Sequence, residues 1–225
     1  MNARRVFLQR RIAAAVRCSR GVKTAIGLLA CLICVPAAPA ADIAPQTVTV
    51  GQVLRGHFVQ NRQLAGFSKP LRSEGSFVLV PGRGLIWRGE KPFQNTTVLT
   101  SGGILQFAAG QEAMRLPASR LPGLSHLYEV LGAAVSGNIK PLQQTFAVVQ
   151  SAEGAQWRIV LTPLHPENPA MAQLKTLTLT GGRFVDSVEV ERSGGDVDRI
   201  AFSDHDVSAA NLTAAEKALL GALGK

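Results

Sequence analysis

The chain has 225 residues, with 24 Lys or Arg against 15 Asp or Glu and a formal net charge of +9. Seven basic residues, all three cysteines and no acidic residue fall in the first 40 positions, which leaves 17 basic against 15 acidic in the other 185. The basic excess belongs to a leader, so the body is excluded as a basic nucleic-acid binder, a disulfide framework, a Cys-ligated metal site or a thiol catalyst.

The leader is read first. Arg4, Arg5, Arg10, Arg11, Arg17, Arg20 and Lys23 precede an uncharged, mostly apolar run over residues 24–35, and small residues follow at Ala38 and Ala40. Basic, apolar and small-residue segments in that order mark a secretory signal, with cleavage expected between Ala40 and Ala41. The apolar run is too short to cross about 30 Å of hydrocarbon as a helix. Leu28, Leu29, Ala30 and Cys31 resemble a lipobox, but the apolar run continues past Cys31 to Val35. The expectation is an exported chain with residues 1–40 removed and residues 41–225 forming a single domain. Anchoring through an acylated Cys31 is the alternative. A mature chain without cysteine suits an oxidising compartment.

Beyond the leader the dominant period is two, the mark of strands with one buried face. Expected strands cover 55–63, 73–80, 84–90, 95–100, 103–108, 112–116, 144–150, 156–162, 174–180, 183–192 and 197–203, about ten in all because 112–116 is marginal. Leu177 and Leu179 point one way; Thr176, Thr178 and Thr180 point the other. Trp157, Ile159 and Leu161 share a face, as do Phe77 and Leu79, Phe146 and Val148, and Ile200 and Phe202. Pro81 with Gly82, Gly102 with Gly103, Glu153 with Gly154, Gly181 with Gly182 and the run Ser193, Gly194, Gly195, Asp196 supply turns at short spacing. Such turns join antiparallel neighbours. The residues predict one large curled sheet or a barrel.

Two segments break the period. Leu124, Leu127, Val130, Leu131, Ala134 and Val135 form the stripe of an amphipathic helix opened near Ser125 and closed by Gly137. Thr213 stands three residues before Glu216, a capping box, with Leu219 and Leu220 on a short helix ending near Gly221. Each segment reads either as an element that plugs or edges the sheet or as a lid.

Catalytic motifs are sparse. His57, His126, His165 and His205 include no pair at metal-ligand spacing on one face. No G-x-S-x-G, S-x-x-K, P-loop or G-x-G-x-x-G is present. Gly82, Arg83 and Gly84 read as a hairpin turn, and nothing pairs Glu74 with Glu90. Ser203, Asp204, His205 and Asp206 form one dense polar knot, read as a loop; a hydrolase built on it is the enzymatic alternative. An exported, strand-rich body without a catalytic set favours a binding or carrier protein with no metal and no cofactor.

The residues from Gly56 to Phe107 carry a resemblance. Gly56, Phe58 and Gln60 are followed by Gly66, Phe67, Pro70, Leu71, Ser73, Gly75 and Phe77. Gly84, Leu85, Ile86 and Trp87 come next, then Pro92 and Phe93, then a hairpin over 97–106. Leu131, Gly132, Gly137, Phe146, the stretch over 157–163 and the strand pair over 182–202 keep the order. This set covers nearly all of 52–205 and resembles the periplasmic outer-membrane lipoprotein carrier family (LolA-like), as a divergent member.

The resemblance implies a mainly β fold, an unclosed antiparallel barrel of about 10–11 strands with short helices covering an apolar cavity. Phe58, Phe77, Leu79, Leu85, Trp87, Phe93, Phe146 and Trp157 match positions of that cavity or its rim, plain core packing being the competing role. Arg83, displaced by about two positions from the family's turn arginine, is the candidate lid contact. Residues 47–50 are β-branched and read as extended where the family has an N-terminal helix. The implied function is a soluble periplasmic monomer, not an enzyme, that carries a lipoprotein or other acylated lipid from an inner-membrane exporter to an outer-membrane acceptor. Nucleic acid is not an expected partner. A lipid-sensing, regulatory or membrane-tethered domain of the same fold is the alternative. Each buried methylene is worth about 0.8 kcal/mol, so long acyl chains need shelter to cross water.

Overall fold

The period-two segments fold as eleven strands in a computed structural model that describes residues 44–120, 130, 132–169 and 171–223, within the unit Ala41–Lys225. The expected cleavage point at Ala40 and Ala41 lies outside the described residues, as do Cys31 and residues 124–129 and 131 of the expected first helix. The strands are β1 (Gln52–Gln63), β2 (Leu71–Val80), β3 (Gly84–Lys91), β4 (Asn95–Thr100), β5 (Gly103–Ala108) and β6 (Gln111–Pro117). They continue with β7 (Phe146–Glu153), β8 (Gln156–Pro163), β9 (Leu174–Gly181), β10 (Val185–Arg192) and β11 (Val197–Ala209), and helix α1 (Ala214–Gly221) follows. The marginal segment 112–116 is a true strand, β6, paired along its length with β5.

All pairings are antiparallel, in the order β6-β5-β4-β3-β2-β1-β11-β10-β9-β8-β7. The first and last strands therefore meet in the middle, and β6 and β7, adjacent in sequence, end the sheet on opposite sides among the described residues. In a flat sheet β4 and β8 would lie about 33 Å apart. Yet Leu85 and Leu99 of β3 and β4 belong to the same buried cluster as Leu161, Leu177 and Leu179 of β8 and β9, together with Val130, Ala133, Ala134 and Val135. A sheet curled around the segment carrying those four residues brings both halves into one cluster. The result is an unclosed barrel with an apolar concave face.

Residues 132–136 are helical, and Gly137 ends them with a φ of +72°, the left-handed conformation that favours glycine at a helix C-terminus. Preceding β1, residues 44–49 are neither helix nor strand. This segment ties two elements together: Gln46 N–H donates to the Arg183 carbonyl at 2.7 Å and Val48 N–H to the Ser136 carbonyl at 2.9 Å. Val48 is buried beneath them.

The convex face carries a second core. Val53, Val78, Val80, Ile86, Val98 and Leu105 alternate with the concave-face residues and are covered by Leu212, Leu220 and Leu223. Helix α1 thus packs on the outside of the sheet, which overturns its reading as a lid. Its start is fixed by a complete capping box. The Thr213 hydroxyl accepts from Glu216 N–H at 3.2 Å, and Glu216 Oε2 accepts from Thr213 N–H at 2.8 Å. Arg55 Nη2 reaches the same carboxylate at 3.0 Å. Burial pushes the Glu216 carboxyl up, but these hydrogen bonds outweigh it and hold the group below the usual carboxylate range.

Strand β11 runs to Ala209, six residues beyond its expected end. The Ser203 to Asp206 knot is therefore not a loop. It lies inside the strand, at a register shift opposite Arg55 and His57, where Asp204 has a φ of +53°. A bulge interrupts the apolar–polar alternation, which is why four polar residues in a row resemble a loop.

Candidate functional site

Four aromatic rings meet on the concave face. Phe58 of β1 and Trp87 of β3 stack with centroids 3.8 Å apart and planes at 27°. Phe77 of β2 stands 6.3 Å from Trp87, and Phe202 of β11 meets Phe77 edge-on at 5.2 Å and Trp87 at 6.1 Å. Register explains the meeting: Phe77 pairs with Trp87, and Phe58 pairs with Phe202. Phe58 and Phe77 are buried, whereas Trp87 is half-buried. Gly75, opposite both Phe58 and Gly89, lets the strands approach here; a Cβ on it would lie 1.9 Å from the Arg88 carbonyl oxygen.

From this cluster the face continues toward β6 in two rungs. Leu85, Leu99, Ile104 and Leu116 form one, and Trp87, Thr97, Gln106 and Met114 the other. Leu85 and Leu99 are buried, while Ile104, Leu116 and every member of the second rung are half-buried. The wall is therefore apolar with a wet side, a surface that can accept a flexible hydrocarbon chain.

Seven of the eight expected lining residues lie in the concave core: Phe58, Phe77, Leu79, Leu85, Trp87, Phe146 and Trp157. They do not form one site. Phe146 and Trp157 sit on β7 and β8, and the Trp157 indole N–H donates to the Gly182 carbonyl at 2.6 Å, an anchored packing role. Phe93, the eighth, lies outside that core. It lies in the turn between β3 and β4, 78% exposed, because the strand alternation stops at Pro92. Arg83 is exposed in the β2–β3 turn, and its guanidinium has no partner among the described residues.

The polar knot raised as an enzymatic alternative does not bring the Ser203 hydroxyl against the His57 imidazole. The Ser203 hydroxyl donates to Asp204 Oδ2 at 3.0 Å, and His57 Nδ1 lies 3.3 Å from that same oxygen. Carboxylate, hydroxyl and imidazole are all exposed, and the hydroxyl and imidazole share the carboxylate instead of meeting each other. No three His, Cys, Asp or Glu side chains come together as a metal-ligand set among the described residues.

One group escaped the sequence reading. Asp198 on the concave face is 3% exposed and is bonded by Arg62, Arg192 and Gln60. Burial drives its carboxyl up, but the hydrogen bonds from the two arginines prevail and hold it below its ordinary value of 3.8. The signal available was weak: Asp198 interrupts an apolar alternation with Ile200 and Phe202, and two of its three partners, Gln60 and Arg62, lie far away in sequence.

The model of the family described as outer membrane lipoprotein carrier protein LolA-like matches residues 34–222. The chain belongs to that LolA-like family. No curated protein matches it. Among solved structures it is similar to a LolA superfamily protein from Nitrosomonas europaea, at 10% identity and a TM-score of 0.40, covering 79% of this chain and 92% of that one. It is also similar to the MucA/MucB complex of Pseudomonas aeruginosa (12% identity, TM-score 0.42), where 75% of this chain spans 55% of the other. The lipoprotein LppX of Mycobacterium tuberculosis is a third likeness, at 7% identity and a TM-score of 0.33, over 71% of this chain and 88% of that one.

Proposed function

We propose that this protein is an exported, non-enzymatic carrier that holds the acyl chains of a lipoprotein or other lipid against its concave face. In this reading it takes cargo at the inner membrane and yields it at the outer membrane, with an exporter and an acceptor as partners. Residues 1–40 act as the export signal, and the body works as a periplasmic monomer. The observation that carries the proposal is the half-exposed Trp87, stacked on buried Phe58 within an apolar wall, in a member of the LolA-like family.

The physical logic supports it. An acyl chain gains about 0.8 kcal/mol per methylene taken out of water, so even a partly covered wall can retain it. Release then depends on a partner offering a more favourable surface, and direction comes from differences in affinity. No covalent step enters.

The test is native mass spectrometry of the protein purified from its own periplasm, followed by organic extraction. A bound species with acyl chains, lost on Trp87→Ala, supports the carrier reading. Apo protein that also fails to take up lipid from vesicles in vitro would count against it.

A further inference from the structure

The concave face changes chemistry toward one end of the sheet. Along β1 it runs from Phe58 to Gln60 to Arg62, from buried to half-buried to exposed. Along β11 the same face runs from Phe202 to Ile200 to Asp198, and along β10 from Val188 to Val190 to Arg192. The apolar wall thus leads into a polar cluster at the edge of the β1–β2 and β10–β11 turns.

That cluster is built around one carboxylate. Arg62 Nε donates to Asp198 Oδ1 at 2.7 Å, and Gln60 Nε2 to the same oxygen at 3.1 Å. Arg192 Nη2 donates to Oδ2 at 3.1 Å. Only the carboxylate is buried: the arginine side chains keep 46% and 38% exposure, against 5% for Asp198. A buried carboxylate needs one cation for neutrality. Here two guanidinium groups flank it, with Asp196 of the β10–β11 turn as a second acidic neighbour of Arg62, so the guanidinium donors, and not a net charge, exceed what Asp198 needs. Each arginine spends one N–H on Asp198, and a guanidinium has five. The carboxylate fixes two cationic forks side by side at the open end of an apolar wall, with most of their donors unspent.

We infer that Arg62 and Arg192 bind the anionic oxygen group, a phosphate or carboxylate, of a lipid whose chain lies over Gln60 and Phe58 toward Trp87. The spacing suits it: Arg62 stands four residues from Phe58 along β1, about 13 Å, so one medium-length chain reaches from the arginines to the aromatic cluster. Arginine forks match phosphate and carboxylate oxygens bidentately. The inference rests on the lipid-holding reading above and narrows its cargo to acidic lipids, in preference to a neutral acylated chain end.

The experiment uses the mature chain, residues 41–225, loaded with the neutral fluorophore N-phenyl-1-naphthylamine and displaced by dodecanol, by dodecyl phosphate or by inorganic phosphate. Dodecyl phosphate should displace the fluorophore at a concentration about tenfold below that of dodecanol at low salt, with the preference shrinking as salt rises. Arg62→Gln and Arg192→Gln should each lower that ratio, and the double variant should bring it to about one. Melting curves verify folding. If the double variant unfolds because Asp198 is left without a cation, adding Asp198→Asn removes the stranded carboxylate together with both guanidinium groups and carries the same test.

Equal displacement by dodecanol and dodecyl phosphate in the wild type overturns the inference while leaving the lipid-holding reading intact. So does a preference that survives the double variant. Inorganic phosphate that raises the melting midpoint as much as dodecyl phosphate, with no phosphate advantage in displacement, would assign the arginines to a free oxyanion and overturn it as well. Failure of the wild type to bind the fluorophore or either amphiphile would instead overturn the lipid-holding reading, and the headgroup site with it.

Discussion

Trp87→Ala tests whether the concave wall is a working surface with real packing energy. A fully buried tryptophan covers up to about 250 Å². Trp87 is half-buried, so roughly 125 Å² returns to water at about 25 cal/mol per Å², near 3 kcal/mol. Loss of the 3.8 Å stack on Phe58 adds about 0.5–1.5 kcal/mol, partly recovered by relaxation on the open side. The expected cost is therefore about 3 kcal/mol, a large share of a domain's stability. Urea unfolding measures it, and Trp157, then the remaining tryptophan and only 1% exposed in the native state, reports the transition by its fluorescence shift. The same variant should bind N-phenyl-1-naphthylamine far more weakly under conditions where it is fully folded. A cost below about 1 kcal/mol combined with undiminished fluorophore binding would refute the reasoning, since Trp87 would then neither pack nor bind. Phe93→Ala is the contrast: at 78% exposure it should change stability by less than about 0.5 kcal/mol.

Other expectations can be read from unfolding curves. Asp198 is held below its ordinary pKa in the folded state, so its contribution is fully present above about pH 4 and fades as pH falls through the folded value. Asp198→Asn should cost about 1.5–3 kcal/mol at pH 7, and its urea midpoint should converge on the wild-type one as pH is lowered below 4; parallel curves would disprove the linkage. Thr213→Ala should cost about 1 kcal/mol through the lost helix cap, and an unchanged urea midpoint would mean that α1 is held by packing alone. Gly75→Ala would force a Cβ within 1.9 Å of the Arg88 carbonyl and should cost more than about 3 kcal/mol by thermal melting, or prevent folding.

Much of this architecture was legible because strand alternation is a local property. Leu177 and Leu179 against Thr176 and Thr178 declare a face whatever their partners are, and the glycine-bearing turns declare that those partners are close by. The capping box of α1 is equally local, since Thr213 and Glu216 recognise each other within one turn. Its place on the convex face is not, because Val78, Val80 and Ile86 read as the quiet half of each strand until the helix that covers them is known. The bulge at Asp204 misleads for a related reason: it breaks the period that identifies a strand. Phe93 follows the family's order of residues but sits past the last paired position of β3. The Arg62, Asp198 and Arg192 cluster was invisible because the bond from Arg62 to Asp198 joins positions 136 apart, and only the central pairing of β1 with β11 brings them together.

That central pairing also constrains how the chain can be made. Arg55 and Ser208, joined across the middle of the sheet, are separated by 153 residues. A polypeptide emerging N-terminus first can begin to pair β1 with β2 and extend toward β6, but the strand that welds this half to the other is the last of the eleven to appear. Long-range pairings of this kind form slowly. The two halves of the sheet therefore stay unjoined until β11 has been made. A truncation that removes β11 does not trim an edge; it cuts the sheet in two.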